Sequence, residues 1–200
     1  MGFLLRLGSY IFHPLLLPTI GWLLYIAIQP VHQWDLLVSL SYKDFLLFTL
    51  VLPALLWSYL KLRKKISDWD VTDTKQRIIP LFLYALCLIA ILVMGKLDYL
   101  LPLKVFIYGI LSSVLTALLL VLLKVKASLH QMAISGLLVF VIGLSIYFRL
   151  NLLLYIMVLI LANGWVASSR LYMERHTPTE LVLGFIIGAT PQLYLVSYLL

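Results

Sequence analysis

"MAISGLLVFVIGLSIYFRLNLLLYIMVLILANGWVAS", residues 132–168, contains a single charged residue, Arg149. Two apolar runs, 132–148 and 152–168, flank the triplet Arg149-Leu150-Asn151. A helix that crosses the hydrocarbon core of a bilayer needs roughly 20 apolar residues, with about 17 as the floor. Both runs reach it, and the triplet between them is too short for anything but a turn. The stretch reads as a tight transmembrane hairpin.

Working outward, five more apolar runs have similar length: about 11–29, 43–60, 79–95, 104–123 and 181–200. The fold class is therefore all-α: a polytopic membrane helical bundle of six to seven transmembrane helices, forming a single domain over residues 1–200. Pro14 and Pro18 lie in the first run and Pro53 in the second. Membrane helices accept prolines where neighbouring groups satisfy the freed carbonyls. Composition agrees. The chain is 64% hydrophobic and 12% charged, where a soluble domain is nearer half apolar and a quarter charged. The lone Cys87 allows no disulfide framework. Arg6 is the one early base, and its apolar stretch runs on to about Ile28 without a small-residue cleavage site, so no cleavable signal is expected.

Three polar segments interrupt the apolar runs: "KLRKKISDWDVTDTKQRIIP" (61–80), "KVKASLHQ" (124–131) and "SSRLYMERHTPTE" (168–180). Two crossings separate the first from the second, and two more separate the second from the third. An even number of crossings returns the chain to the same side. All three segments therefore meet at one membrane face, and His13, at the start of the first run, belongs there too. Of the 15 lysines and arginines, 11 fall on this face; Lys43, Lys96, Lys104 and Arg149 fall on the other. The positive-inside rule assigns the convergent face to the cytoplasm, although a phosphate site would recruit bases for its own reasons. The net charge of +7 suits anionic headgroups or a phosphate. With no soluble module in the chain, nucleic acid is not an expected partner.

The convergent face collects Lys75, Arg77, Lys126, Ser128, His130, Ser169, Arg170, His176 and Glu180. Fixed cations and hydroxyls can hold a phosphate and spread its charge. One imidazole can attack phosphorus while a second protonates the leaving oxygen, and a carboxylate can fix the tautomer of the attacking ring. No His/carboxylate cluster has metal-ligand spacing, and no Gly-rich phosphate loop is present. Each residue also has a structural reading. Thr177-Pro178-Thr179-Glu180 is a helix-starting capping box, and Ser128 to Gln131 is another. Lys61 to Lys65 read as a headgroup anchor, His13 and His32 as interfacial residues, and Gly184 and Gly188 as a helix-packing pair.

The order and spacing of these residues resemble the type 2 phosphatidic acid phosphatase (PAP2) superfamily, relatives of the vanadium haloperoxidases. That family carries K-x6-R-P, then P-S-G-H, then S-R-x5-H-x3-D. Ser169-Arg170, His176 and Glu180 reproduce the third spacing, with Glu in place of Asp, and Gly184 fits the usual continuation. Ala127-Ser128-Leu129-His130 keeps Ser and His of the second motif but not Pro and Gly. The first motif departs most. Arg77 is followed by Pro80 rather than an adjacent proline, and Asp70 stands where the lysine belongs; Lys75 and Lys126 are the two candidates to supply that cation. Together the motifs span 73–184. The phrase "YIFHPLLLPT" and the seven-run size are similar to a small bacterial branch.

The resemblance implies a metal-independent, cofactor-free phosphatase acting on a lipid phosphate or diphosphate in the bacterial inner membrane. His176 would be the nucleophile, Glu180 its orienting carboxylate and His130 the general acid. Arg77, Ser128, Ser169, Arg170 and Lys75 or Lys126 would hold the phosphate, with backbone N–H groups at the start of the fifth run adding a helix-end anion site. Partners would be the membrane and a phosphorylated lipid: phosphatidic acid, phosphatidylglycerol phosphate, a polyprenyl diphosphate and lipid A phosphate all stay open. Bacterial members place the site on the periplasmic face, opposite to the charge reading. A degenerate relative that binds a phospholipid headgroup without turnover is the alternative. A transporter fits less well, because its path would need ionisable residues within the runs.

Overall fold

The computed structural model describes residues 2–30, 42–68, 71, 73–95, 97 and 100–199. His32, Asp70 and Lys96, named above, lie outside the described residues. Eight helices, and no strand, occur among those described. They are α1 Gly2–Ile11, α2 Leu17–Ile28, α3 Tyr42–Leu62, α4 Ile78–Met94, α5 Leu101–Leu122, α6 Leu129–Tyr147, α7 Leu153–Tyr172 and α8 Pro178–Val196. The last six, counted with their short flanking 3-10 turns, are each long and apolar enough to span a bilayer. The chain is an integral membrane protein.

α6 is the central helix. In its most apolar stretch 72% of residues are buried inside the protein, against 28–44% for the other spans. Its sequence explains the position. Small residues at Ala133, Ser135, Gly136 and Gly143 let neighbours approach on several sides, and close packing, not hydrophobicity, drives helix association in lipid. The closest approach is to α8. A side chain on Gly188 would collide with the Met132 carbonyl, and one on Gly184 with the Ser128 carbonyl. The two helices therefore touch backbone to backbone near their N-terminal ends. That contact fixes where the loop before α8 meets the loop before α6.

The first apolar run differs from expectation: 11–29 is not one crossing helix. α1 ends at Ile11, turns occupy Phe12–Leu16, and α2 is only 12 residues long, short of a span on its own. Pro14 disfavours a helical His13 and supplies no N–H. Pro18 sits in the first turn of α2, where a missing N–H costs nothing. Pro53 behaves differently. The turn before it widens to a π-helix over Leu47–Val51, which makes room for the ring. α1 packs on α7 and α2 on α6, so the break lies against the start of α6.

Candidate functional site

Each polar segment delivers its residues through a recognisable local device. Thr177 caps α8, its Oγ accepting from the Glu180 N–H at 3.3 Å. The Glu180 carboxylate turns to its neighbours instead of closing the capping box. Its Oε2 lies 2.6 Å from His176 Nδ1 and 3.6 Å from Lys126 Nζ. The two readings of Glu180 thus coexist: its backbone starts the helix while its side chain holds the histidine. Ser128 caps α6 through its Oγ, and its own N–H donates to the Glu180 carbonyl at 3.0 Å. This bond ties the second and third polar segments together.

Arg77 ties the first segment to the second. It is 2% exposed. Its Nε donates to the Val71 carbonyl and one terminal nitrogen to the Ala127 carbonyl, both at 2.7 Å. Lys126 Nζ donates to the Arg175 carbonyl at 2.8 Å, and Arg175 reaches Asp68 at 3.7 Å. Arg170, 1% exposed on the last turn of α7, approaches Ser9 Oγ at 3.4 Å. Ser9 Oγ also lies 2.6 Å from Ser169 Oγ. Deeper in the bundle, Gln131 Nε2 donates to Asn163 Oδ1 at 3.0 Å, and Asn163 in turn donates to the Leu159 carbonyl. This buried polar pair locks α6 to α7.

Eight of the nine sequence-derived site residues come together. Arg77, Ser128, His130, Ser169, Arg170 and His176 are buried, and Lys126 and Glu180 are half-buried beside them. Lys75 is the exception. It is exposed on the 3-10 turn before α4, its N–H held by Asp73, and of the two candidate cations Lys126 is the one that reaches Glu180. Sequence reasoning missed Ser9 as a partner and assigned His13 to the interface. In the fold, the His13 ring meets the His130 ring edge-to-face at 5.4 Å. The His13-Pro14 pair was a usable signal for His13, because it marks where α1 stops. Ser9, one serine in an apolar helix, carries no such signal.

Burial dominates the protonation of His176. Burial pushes its imidazole down to about 4; the Glu180 hydrogen bond opposes this, and the positive charges of Arg77, Arg170 and Lys126 add to it. At neutral pH the ring is uncharged, the form able to attack an electrophile. Among the described residues no three His, Cys, Asp or Glu side chains gather as a metal site would. An open depression of about 660 Å³ lies outside the ring, bounded by Lys126, Arg175, His176, Thr177 and Glu180.

Comparison with family models, with curated proteins and with solved structures finds no match in any of the three.

Proposed function

We propose that this protein is a PAP2-type membrane phosphatase, hydrolysing a lipid phosphate or diphosphate through a phosphohistidine. The observation that carries the reading is the His176–Glu180 pair, at 2.6 Å, among Arg77, Arg170 and Lys126. With Nδ1 engaged by Glu180, Nε2 of a neutral ring keeps its lone pair. Nε2 attacks phosphorus, the bond from phosphorus to the lipid oxygen breaks, and His130 gives that oxygen a proton. Water then gives a proton to the now neutral His130 and attacks phosphorus, the N–P bond breaks, and His176 is returned free with inorganic phosphate and His130 reprotonated. Arg77, Arg170, Lys126, Ser128 and Ser169 would hold the phosphoryl oxygens as charge redistributes. The site would sit at the surface of a bacterial inner membrane, where a lipid can reach it without leaving the bilayer.

One observation favours the binding-only alternative. Arg77 and Lys126 already donate to the carbonyls of Val71, Ala127 and Arg175, so part of the cationic set has a structural occupation. The experiment that separates the two readings is phosphate release by the purified protein in detergent. It uses a panel of lipid phosphates, with a chelator present and His176→Ala in parallel. Chelator-resistant release that the substitution abolishes, in a protein still folded, is the expected result. Retained release in His176→Ala would overturn the nucleophile assignment. Tight lipid binding without release from any substrate would move the reading to the binding-only relative.

A further inference from the structure

A second space lies on the membrane side of the histidines. It is a small space of about 70 Å³ that opens at a mouth, room for a carbonyl group and its neighbouring atoms and well below the roughly 300–1,000 Å³ of a whole small-molecule site. His13 and His130 stand at one end, and the walls come from α3, α4, α5, α6 and α8 together with the Pro14–Pro18 break. The break builds the mouth. A continuous first helix would run past His130, whereas the turn from Phe12 to Leu16 places Pro14 and Leu15 on the rim. Along α6 the wall runs from Leu129 to Leu137, about 12 Å at 1.5 Å per residue.

The lining is mostly apolar, but not entirely. Trp57 Nε1, Tyr84 Oη and Gln192 Oε1 belong to side chains that line this cavity, and none has a hydrogen-bond partner among the described residues. The three residues are 7%, 7% and 1% exposed. Leaving a buried polar group unpaired is costly, and a purely hydrocarbon occupant would leave all three so. Two of the atoms are donors. Tyr84 lies seven residues beyond Arg77, about 10 Å along the axis, and a helical tyrosine leans back toward the helix N-terminus. Trp57 lies five residues before the end of α3 on the same side of the membrane, about 8 Å deep. Both donors therefore stand just below the level of the phosphate site, where the ester carbonyls of a glycerolipid follow its phosphate by a few bonds.

Resting on the proposed function for the phosphate end, we propose that Trp57 and Tyr84 form a carbonyl-binding subsite inside the membrane that selects an ester-linked acyl lipid phosphate. The Trp57 indole N–H and the Tyr84 hydroxyl donate to ester carbonyl oxygens, and the acyl chains extend from the mouth into the bilayer. Gln192 Oε1 faces the same cavity as an acceptor, which suits a lipid bearing a hydroxyl or leaves room for Tyr84 to turn. Ether-linked and polyprenyl phosphates present no carbonyl, and the ether oxygen is a weaker acceptor for the two donors.

The test is equilibrium binding to His176→Ala protein in detergent, so that turnover plays no part. The probes are dioleoyl phosphatidic acid, its diether analogue and farnesyl phosphate. The ester lipid is expected to bind roughly tenfold more tightly than the diether, the equivalent of one hydrogen bond to a buried donor. Tyr84→Phe, which keeps the ring, and Trp57→Phe, which keeps an aromatic side chain without the N–H, should each reduce that ratio, and the diether affinity should stay constant as a check on folding. Equal binding of ester and diether, farnesyl phosphate binding as tightly as the ester, or full ester preference in both variants would overturn the subsite. Phosphate release by unsubstituted protein from ester and diether lipids reports separately on the proposed function. Equal binding with release from both leaves the phosphatase and removes the subsite; ester preference without release does the reverse.

Discussion

At the scale of single residues, the site turns on two histidines with different neighbours. His176 titrates at about 4 when folded, against 6.5 for a free imidazole. Between those values the unfolded chain binds the extra proton, so stability falls as pH drops from 6.5 toward 4, and above 6.5 this group contributes no pH dependence. For the proposed reaction, the neutral His176 ring persists down to about pH 4. The acid limb of kcat/KM belonging to His176 is therefore expected near pH 4. Removing a nearby cation, as in Arg77→Gln, should move the limb upward. A limb at 6.5 that ignores the cation would contradict the electrostatic account. His130 has a different signature. As a general acid it is worth about 10²- to 10⁴-fold, but only for a leaving group that needs a proton. His130→Ala should lose that factor on an alkyl phosphate and recover most of it on a nitrophenyl phosphate. Ser9 offers a third test. Ser9→Ala removes a hydroxyl that Ser169 and Arg170 share, and it should raise KM several-fold more than it lowers kcat, because Arg170 loses its orientation rather than its charge.

At the scale of elements, the α6–α8 contact positions both histidine-bearing loops. Gly188→Val places two methyl groups where the Met132 carbonyl now sits, and overpacking of this kind costs about 1–3 kcal/mol. Thermal unfolding in detergent should show the loss. Gly164→Ala is the internal control: a side chain there meets nothing within 4 Å, so it should be neutral or slightly stabilising. Both glycines lie within apolar runs, and hydropathy alone does not show which of them meets a neighbouring backbone. The spans were legible for the same reason that this distinction was not. Crossing a bilayer demands length and apolarity, which any reader of the sequence can count. Which face of a helix meets which neighbour depends on packing, which leaves no trace in hydropathy. The broken first run shows the other limit. Pro14 and Pro18 were visible, but a proline can bend a helix or end it. Pro53 and Pro191 are both carried inside helices, while Pro14 lies in the turn that separates α1 from α2.

At the scale of the whole molecule, crossing parity alone brought Arg77, Ser128, His130, Arg170 and His176 to one face, and the fold gathers them there. Parity could not resolve Lys75 from Lys126, because both lie on the correct face and only side-chain reach separates them. The topology has a direct check. Lys64→Cys and Lys124→Cys should react with an impermeant thiol reagent from one side of an intact membrane and Arg149→Cys from the other, with Cys87 silent because it is buried. Labelling of all three from one side would break the parity argument. The same experiment, done on oriented vesicles, decides between the cytoplasmic side given by charge and the periplasmic side given by the resemblance.

The contact from Ser9 to Ser169 and Arg170 has a consequence for how the protein is made. The two partners are 160 residues apart in the chain, and a ribosome adds about 5–20 residues per second. For roughly 8–32 s after Ser9 is synthesised, its partner does not exist. Through that interval α1 lacks the helix it packs on, and α2, at 12 residues, is too short to span a bilayer by itself. The Ser9–Ser169–Arg170 contact can therefore close only after α7 has been inserted, so a nascent chain stalled before that point would leave the polar face open at Ser9.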